Sequence, residues 1–263
     1  MSFTIDILPA LADHYIYLIT DEDLGLAMVI DPSDASVVTH ALQKKDLHLA
    51  LILNTHNPKN TGNGSEKLQS EYGAPIIGPL ESHDRLGSLS RKVSKADVIT
   101  FSTLRGQVLE THGAISGHVA FYFPQLKALF CGDTLFSLGC GKLFEGRPSD
   151  LWETLAALRS LPDDTLIYCG REFTEANAKF ALAVDKNNEA LKGRVAEVKQ
   201  LRQKGLPSVP VLLSVEKQTN PFLRVDHPPF QSALAKGGIA AHDTDPAAIL
   251  GTLRAAKDRF GSL

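Results

Sequence analysis

Apolar positions in the first two-thirds of the chain come in short runs. Phe3 to Leu8 alternates apolar with polar residues, the period-two pattern of a half-buried strand. His14 to Thr20 and Leu26 to Ile30 read as two more strands. The second of these stops at Asp31-Pro32, because proline has no N–H to give to a ladder. Val37, Val38, Ala41 and Leu42 then fall at helical spacing behind Ser33 or Asp34, either of which can cap a helix. Leu49 to Leu53 is continuously apolar, as expected of a strand covered on both faces. It runs into Asn54-Thr55-His56, which puts His56 at the carboxyl end of a strand, where α/β sheets tend to hold ligands. Further strands are predicted at 75–77, 98–101, 106–110, 119–123, 128–131 and 166–169, and a helix at 151–161.

The period changes after that. Residues 174–184, 188–204 and 247–260 all carry helical spacing, and Gly205 to Val211, with two prolines and a glycine, reads as a turn or linker. The pattern predicts a β-rich α/β domain over residues 1–173 and a helical domain over 174–263.

Composition narrows the classes of function. Hydrophobic residues make up 43% of the 263, enough for a packed core, so wholesale disorder is excluded. Lys+Arg number 27 and Asp+Glu 30, a net charge of −3, which favours neither nucleic acid nor an anionic membrane as partner. No apolar run approaches the ~18 residues of a membrane helix. Met1 to Asp6 lacks the basic start and apolar stretch of a signal peptide, and three widely spaced cysteines (Cys131, Cys140, Cys169) suit a reducing compartment. A cytoplasmic, monomeric protein is expected.

Phe130-Cys131-Gly132-Asp133-Thr134-Leu135-Phe136-Ser137, followed by Gly139-Cys140-Gly141-Lys142-Leu143-Phe144-Glu145-Gly146, resembles glyoxalase II, the hydroxyacylglutathione hydrolases of the metallo-β-lactamase superfamily. Leu161 to Thr165, Asn177 to Ala181 and the ending Arg254 to Phe260 are similar to that family too. The resemblance covers nearly the whole chain. It implies an αβ/βα sandwich with a C-terminal helical domain, and hydrolysis of S-(D)-lactoylglutathione and related thioesters. It also implies two metal ions bridged by hydroxide and an aspartate, since a metal lowers the pKa of bound water toward ~7 and polarises the carbonyl.

The ligand positions carried over by the resemblance are largely lost. The first block, Thr-His-x-His-x-Asp-His in the family, reads Thr55-His56-Asn57-Pro58-Lys59-Asn60-Thr61, so only His56 fits. The second, Thr-Pro-Gly-His-Thr-x-Gly-His, reads Thr111-His112-Gly113-Ala114-Ile115-Ser116-Gly117-His118, with Ala114 at the ligand histidine. The bridging aspartate persists as Asp133. The last ligand histidine has become Arg171, in Gly170-Arg171-Glu172-Phe173. Proline and alanine cannot coordinate through their side chains. Lys59 and Arg171 bring positive charge toward a site for dications, where a like charge at ~4 Å costs about 4 kcal/mol at an effective dielectric near 20. The expectation is a family member without the dinuclear zinc centre, a pseudoenzyme in which Asp133 pairs with Arg171 or Lys59, and no cofactor. The alternative is an active thioester hydrolase with a relocated or mononuclear zinc on His56, His112 and Asp133, with His118 as a further donor.

On the substrate side, the resemblance assigns a glutathione thioester or conjugate to Lys142, Phe144, Phe173, Arg254 and Lys257. Cations on separate elements can clamp the two carboxylate ends of glutathione. Phe173 stands where the family has a tyrosine and lacks its hydroxyl. Cys140 and Glu172 are weaker candidates for a nucleophile and a base, and Trp152 is expected in the core.

Overall fold

The computed structural model describes residues 2–56, 64–80, 89–144, 146–239 and 244–260. The chain forms two compact units, residues 1–110 with 117–132, and residues 111–116 with 133–263.

The first unit opens with strands β1 (Phe3–Ala10), β2 (His14–Asp21) and β3 (Leu26–Ile30), antiparallel in sequence order. Asp34 caps helix α1 (Ala35–Lys45) by accepting from the Ser36 N–H, and Lys44 and Lys45 sit in the last turn, where cations suit the helix dipole. Strand β4 (His48–Leu53) returns parallel to β3. Helix α2 (Gly64–Tyr72), β5 (Ile76–Pro79) and β6 (Arg91–Val93) complete a six-stranded sheet in the order β1-β2-β3-β4-β5-β6. Val38, Leu42 and Leu68 from the two helices pack on Ile16, Leu18, Val29 and Ile52 of this sheet, all essentially dry. Strands β7 (Val98–Phe101), β8 (Leu104–Glu110), β9 (Val119–Phe123) and β10 (Ala128–Gly132) form an antiparallel meander. Tyr17 of β2 meets Phe130 of β10 with ring centroids 5.3 Å apart, so the two sheets face each other across an aromatic core.

The second unit has little sheet. It holds the short antiparallel pair β11 (Leu135–Phe136) and β12 (Gly139–Cys140), helix α3 (Pro148–Arg159), and β13 (Leu166–Cys169). Helices α4 (Thr174–Val184) and α5 (Glu189–Gln203) follow. β14 (Val211–Leu212) pairs antiparallel with β13 and leads to α6 (Leu213–Thr219), α7 (Pro228–Lys236) and α8 (Pro246–Phe260). Leu138, Ala178, Ala181 and Leu191 form a core cluster here. Buried Glu216 ties α6 to the β11–β12 turn. It accepts from the Ser137 hydroxyl (2.8 Å), the Leu138 N–H (2.9 Å) and the Asn220 amide (2.9 Å). Burial raises its carboxyl pKa against these donors. Trp152 is a correction to expectation: it is half-buried rather than in the core, with the Arg159 guanidinium 5.1 Å over its ring.

Candidate functional site

In the first unit, β4 delivers Thr55 and His56 beyond its last residue. Asp31, just past β3, accepts from the Thr55 N–H (2.7 Å) and from the Thr55 hydroxyl (2.7 Å). Thr55 Oγ1 also lies 2.8 Å from His56 Nδ1. A hydroxyl that has given its hydrogen to Asp31 can only accept from the imidazole, so the network places a hydrogen on His56 Nδ1. His118 stacks on His56 with centroids 5.1 Å apart and rings 10° from parallel. It is 1% exposed, and burial, followed by the nearby His56, holds its pKa well below the ordinary range, so it is neutral. Gly132 makes this packing possible. Its φ is +49°, and a Cβ there would sit 2.3 Å from Thr55 Oγ1 and 2.7 Å from His118 Nε2. Pro58, Lys59, Asn60 and Thr61 lie outside the described residues. The sequence from 57 to 63 contains no His, Cys, Asp or Glu.

In the second unit, Asp133 and Arg171 come together. Arg171 Nε is 3.6 Å from Asp133 Oδ2, with the two side chains 25% and 18% exposed. The same guanidinium lies 5.9 Å from the Phe173 ring centroid, and Phe173 meets Phe136 edge-on at 5.2 Å. Ala114 is buried at 1% exposure. A Cβ on Gly141 would be 2.7 Å from the Ala114 Cβ and 2.4 Å from the Asp133 carbonyl oxygen, so the Lys142 loop closes tightly on both. His112 is exposed, and its carbonyl accepts from the Thr154 hydroxyl at 3.0 Å.

A zinc pair needs several imidazoles and carboxylates converging on one point. Among the described residues no three His, Cys, Asp or Glu side chains gather in that way. A methyl group stands at Ala114, and a guanidinium of fixed charge faces the Asp133 carboxylate. Among the described residues the side chains at these positions do not supply the donors a dinuclear centre needs.

Three of the expected substrate-side cations, Lys142, Arg254 and Lys257, gather at α8. Arg254 is 3% exposed. Its guanidinium donates to the Cys140 carbonyl (3.0 Å) and to Asp258 Oδ1 (2.9 Å), and lies 5.3 Å over the Phe222 ring. Lys142 Nζ is 4.0 Å from the same Asp258 oxygen. Lys257 Nζ sits 5.4 Å over the Phe180 ring, and burial, then the Arg254 charge, lowers its pKa to about 8. Phe144 is 70% exposed beside this cluster's Lys142, and Phe173 is 36% exposed. The cluster therefore holds two lysines and the exposed Phe144 ring, while Phe173 lies with Arg171 and Phe136, and Arg254 holds the β12 turn and Asp258 in place.

The weaker candidates have structural partners. Burial pushes the Cys140 thiol up to about 11, too high for a thiolate nucleophile at neutral pH. Glu172 accepts from the Thr174 N–H and from the N–H and hydroxyl of Ser208, which spends its carboxylate on the start of α4. Sequence reading missed Asp31, Thr55 and Asp258 as site residues. Their signals were an acidic residue ending β3, a hydroxyl preceding the strand-end histidine, and the i,i+4 spacing of Arg254 and Asp258.

A model of the metallo-beta-lactamase superfamily matches residues 55–171, and a model of the hydroxyacylglutathione hydrolase C-terminus matches residues 172–260. The chain is 41% identical over 259 residues to the hydroxyacylglutathione hydrolase of Rhodospirillum rubrum, covering 98% of this chain and 99% of that one. It is 41% identical over 260 residues to that of Ruegeria pomeroyi, covering 99% and 100%. Among solved structures, ETHE1 from Myxococcus xanthus superposes with a TM-score of 0.65 at 23% identity over 98% of both chains. The BLEG-1 B3 metallo-beta-lactamase superposes at 0.63 and 18%, covering 84% of this chain and 99% of its own. These two likenesses speak to the fold alone.

Proposed function

The chain belongs to the hydroxyacylglutathione hydrolase (glyoxalase II) family of the metallo-β-lactamase superfamily, and from that membership we propose that it binds glutathione thioesters or S-conjugates without the dinuclear zinc centre that would hydrolyse them. One observation carries the reading: the guanidinium of Arg171, at the position of the last ligand histidine, lies 3.6 Å from the aspartate that would bridge two metals. A dication pair beside that fixed charge would be repelled, and the carboxylate already has a cation. Ala114 and the absence of any acidic, imidazole or thiol side chain from 57 to 63 point the same way. Lys59 remains a candidate second cation for the same role.

The binding half rests on Lys142 and Lys257, with Phe144 and Phe173 as apolar walls. Two ammonium groups can receive carboxylates of a glutathione moiety, and exposed rings can cover its S-substituent. Arg254 contributes by holding Asp258 and the Cys140 carbonyl. The division into a catalytic-type domain to residue 173 and a helical substrate domain after it is part of this proposal. The meeting of the two family models at Arg171 and Glu172 supports it. Residence in a reducing cytoplasm, as a monomer, belongs to the same reading, supported by three buried thiols. Among the described residues no helix is long and apolar enough to cross a membrane.

Calorimetric titration with S-methylglutathione, run beside a lactoylglutathione hydrolysis assay with and without EDTA, tests the proposal. Saturable binding with no turnover is expected. EDTA-sensitive turnover would overturn it, and so would the absence of any binding heat.

A further inference from the structure

Lys257 occupies an unusual place for a lysine. Its Nζ lies 5.4 Å over the Phe180 ring, and the residue is half-buried. Among the described residues, the charged and titratable groups facing it are Arg254 and Asp258 on its own helix, and Cys140 and Lys142 from β12 and the loop after it. The Cys140 thiol is protonated at neutral pH, so it brings no compensating anion. Asp258 is shared: it accepts from Arg254 at 2.9 Å and stands 4.0 Å from Lys142. An ammonium at Lys257 therefore sits over an aromatic ring beside two other cations, and among the described residues Asp258 is the carboxylate facing the three.

Burial beside those two cations outweighs the attraction of the Phe180 ring for the ammonium and raises the share of neutral amine. With a pKa of about 8, roughly a tenth of the amine is unprotonated at pH 7, against well under a thousandth for an ordinary lysine near 10.4. Unprotonated lysine is a nucleophile toward acyl carbons.

We propose that Lys257 is an acyl-modification site: its Nζ, seated on Phe180 beside Arg254 and Lys142, takes the acyl group of thioesters, and the amide formed blocks the ligand cluster. The neutral amine attacks the thioester carbonyl. The N–C bond forms, the C–S bond breaks, and the sulfur leaves with the bonding pair and takes up the proton shed by nitrogen. The products are an amide and a thiol, with no change of oxidation state. Acylation removes one of the two lysine cations of the cluster, so a bound carboxylate and an acyl group exclude each other. This blocking half rests on the glutathione-binding reading, whereas the acylation itself does not.

The experiment uses the full-length protein and the acetyl thioester of N-acetylcysteamine, which lacks the carboxylates of glutathione. Peptide mapping by mass spectrometry follows each lysine across pH 6.5–10. Acetylation of Lys257 is expected at least ~tenfold faster than that of the more exposed Lys142 at pH 7.5, levelling off above pH ~9 as the amine becomes almost wholly neutral. Equal or slower reaction at Lys257, or a rate that climbs in parallel with Lys142 to pH 10, would overturn the proposal. A second arm adds S-methylglutathione. Protection of Lys257 supports the blocking role. Fast acetylation without protection overturns that role and the glutathione-binding reading together, and leaves the acylation site supported.

Discussion

Arg171 reaches to 3.6 Å from the Asp133 carboxylate, and both side chains are mostly withdrawn from water. Removing one partner of such a pair leaves the other charge partly desolvated. Arg171→Ala is therefore expected to lower stability by about 1–3 kcal/mol, between the values for exposed and fully buried pairs. Arg171→Ala together with Asp133→Asn should recover part of that loss. Urea denaturation of the two variants measures both numbers. A single change at Arg171 with no loss of stability would mean that the pair holds nothing.

Gly132 and Gly193 form a contrasting pair. Gly132 has φ +49°, and a methyl group there would press on Thr55 Oγ1 at 2.3 Å. Gly132→Ala is expected to cost about 2 kcal/mol or more, from the left-handed backbone and from displacement of the Asp31–Thr55–His56 chain. Gly193 lies on the exposed side of α5 with no atom within 4 Å of an added methyl. Gly193→Ala is expected to stabilise by about 0.5–1 kcal/mol through helix propensity alone. Thermal melts of both variants check the opposite signs.

Lys257 makes stability depend on pH in a direction that can be worked out. Its pKa is about 8 in the folded chain and 10.5 when unperturbed. The unfolded chain binds the proton first as pH falls from 10.5, so folding loses stability between 10.5 and about 8, and the penalty is constant below that. Lys257→Met, which puts an uncharged side chain of similar length beside Phe180, should remove that penalty. The variant is expected to be more stable than the parent by about 1–2 kcal/mol at pH 7, with the gap closing as pH rises past 8 toward 10.5. Denaturation at pH 7 and pH 10 measures it. A gap independent of pH would place the effect in packing.

The elements with a strong period were legible in the sequence. β3 and β4 showed as apolar runs, the Asp31-Pro32 stop fell at the end of β3, and α4 and α8 lay within a residue or so of their predicted ends. Elements with too few residues to show a period were not. β6, β11 and β12 have two or three residues each, and α2 buries little besides Leu68 under a polar sequence. Trp152 was misplaced because hydrophobicity does not distinguish a core ring from one lying under an arginine. At the site, the replaced ligand positions could be read directly from residue identity. The burial of Arg254 could not, because two cations at i,i+3 near a chain end read as a solvated helix face, whereas here the guanidinium is taken up by the Cys140 carbonyl, Asp258 and the Phe222 ring. The Asp31–Thr55–His56 chain depends on the ends of β3 and β4 meeting, which no local pattern encodes.

The most direct test is metal stoichiometry. The purified protein, refolded with excess zinc and desalted, should carry well under one equivalent of zinc per chain by elemental mass spectrometry, and Arg171→His alone should not change that. Two equivalents per chain, retained through desalting and removed by EDTA, would contradict the account.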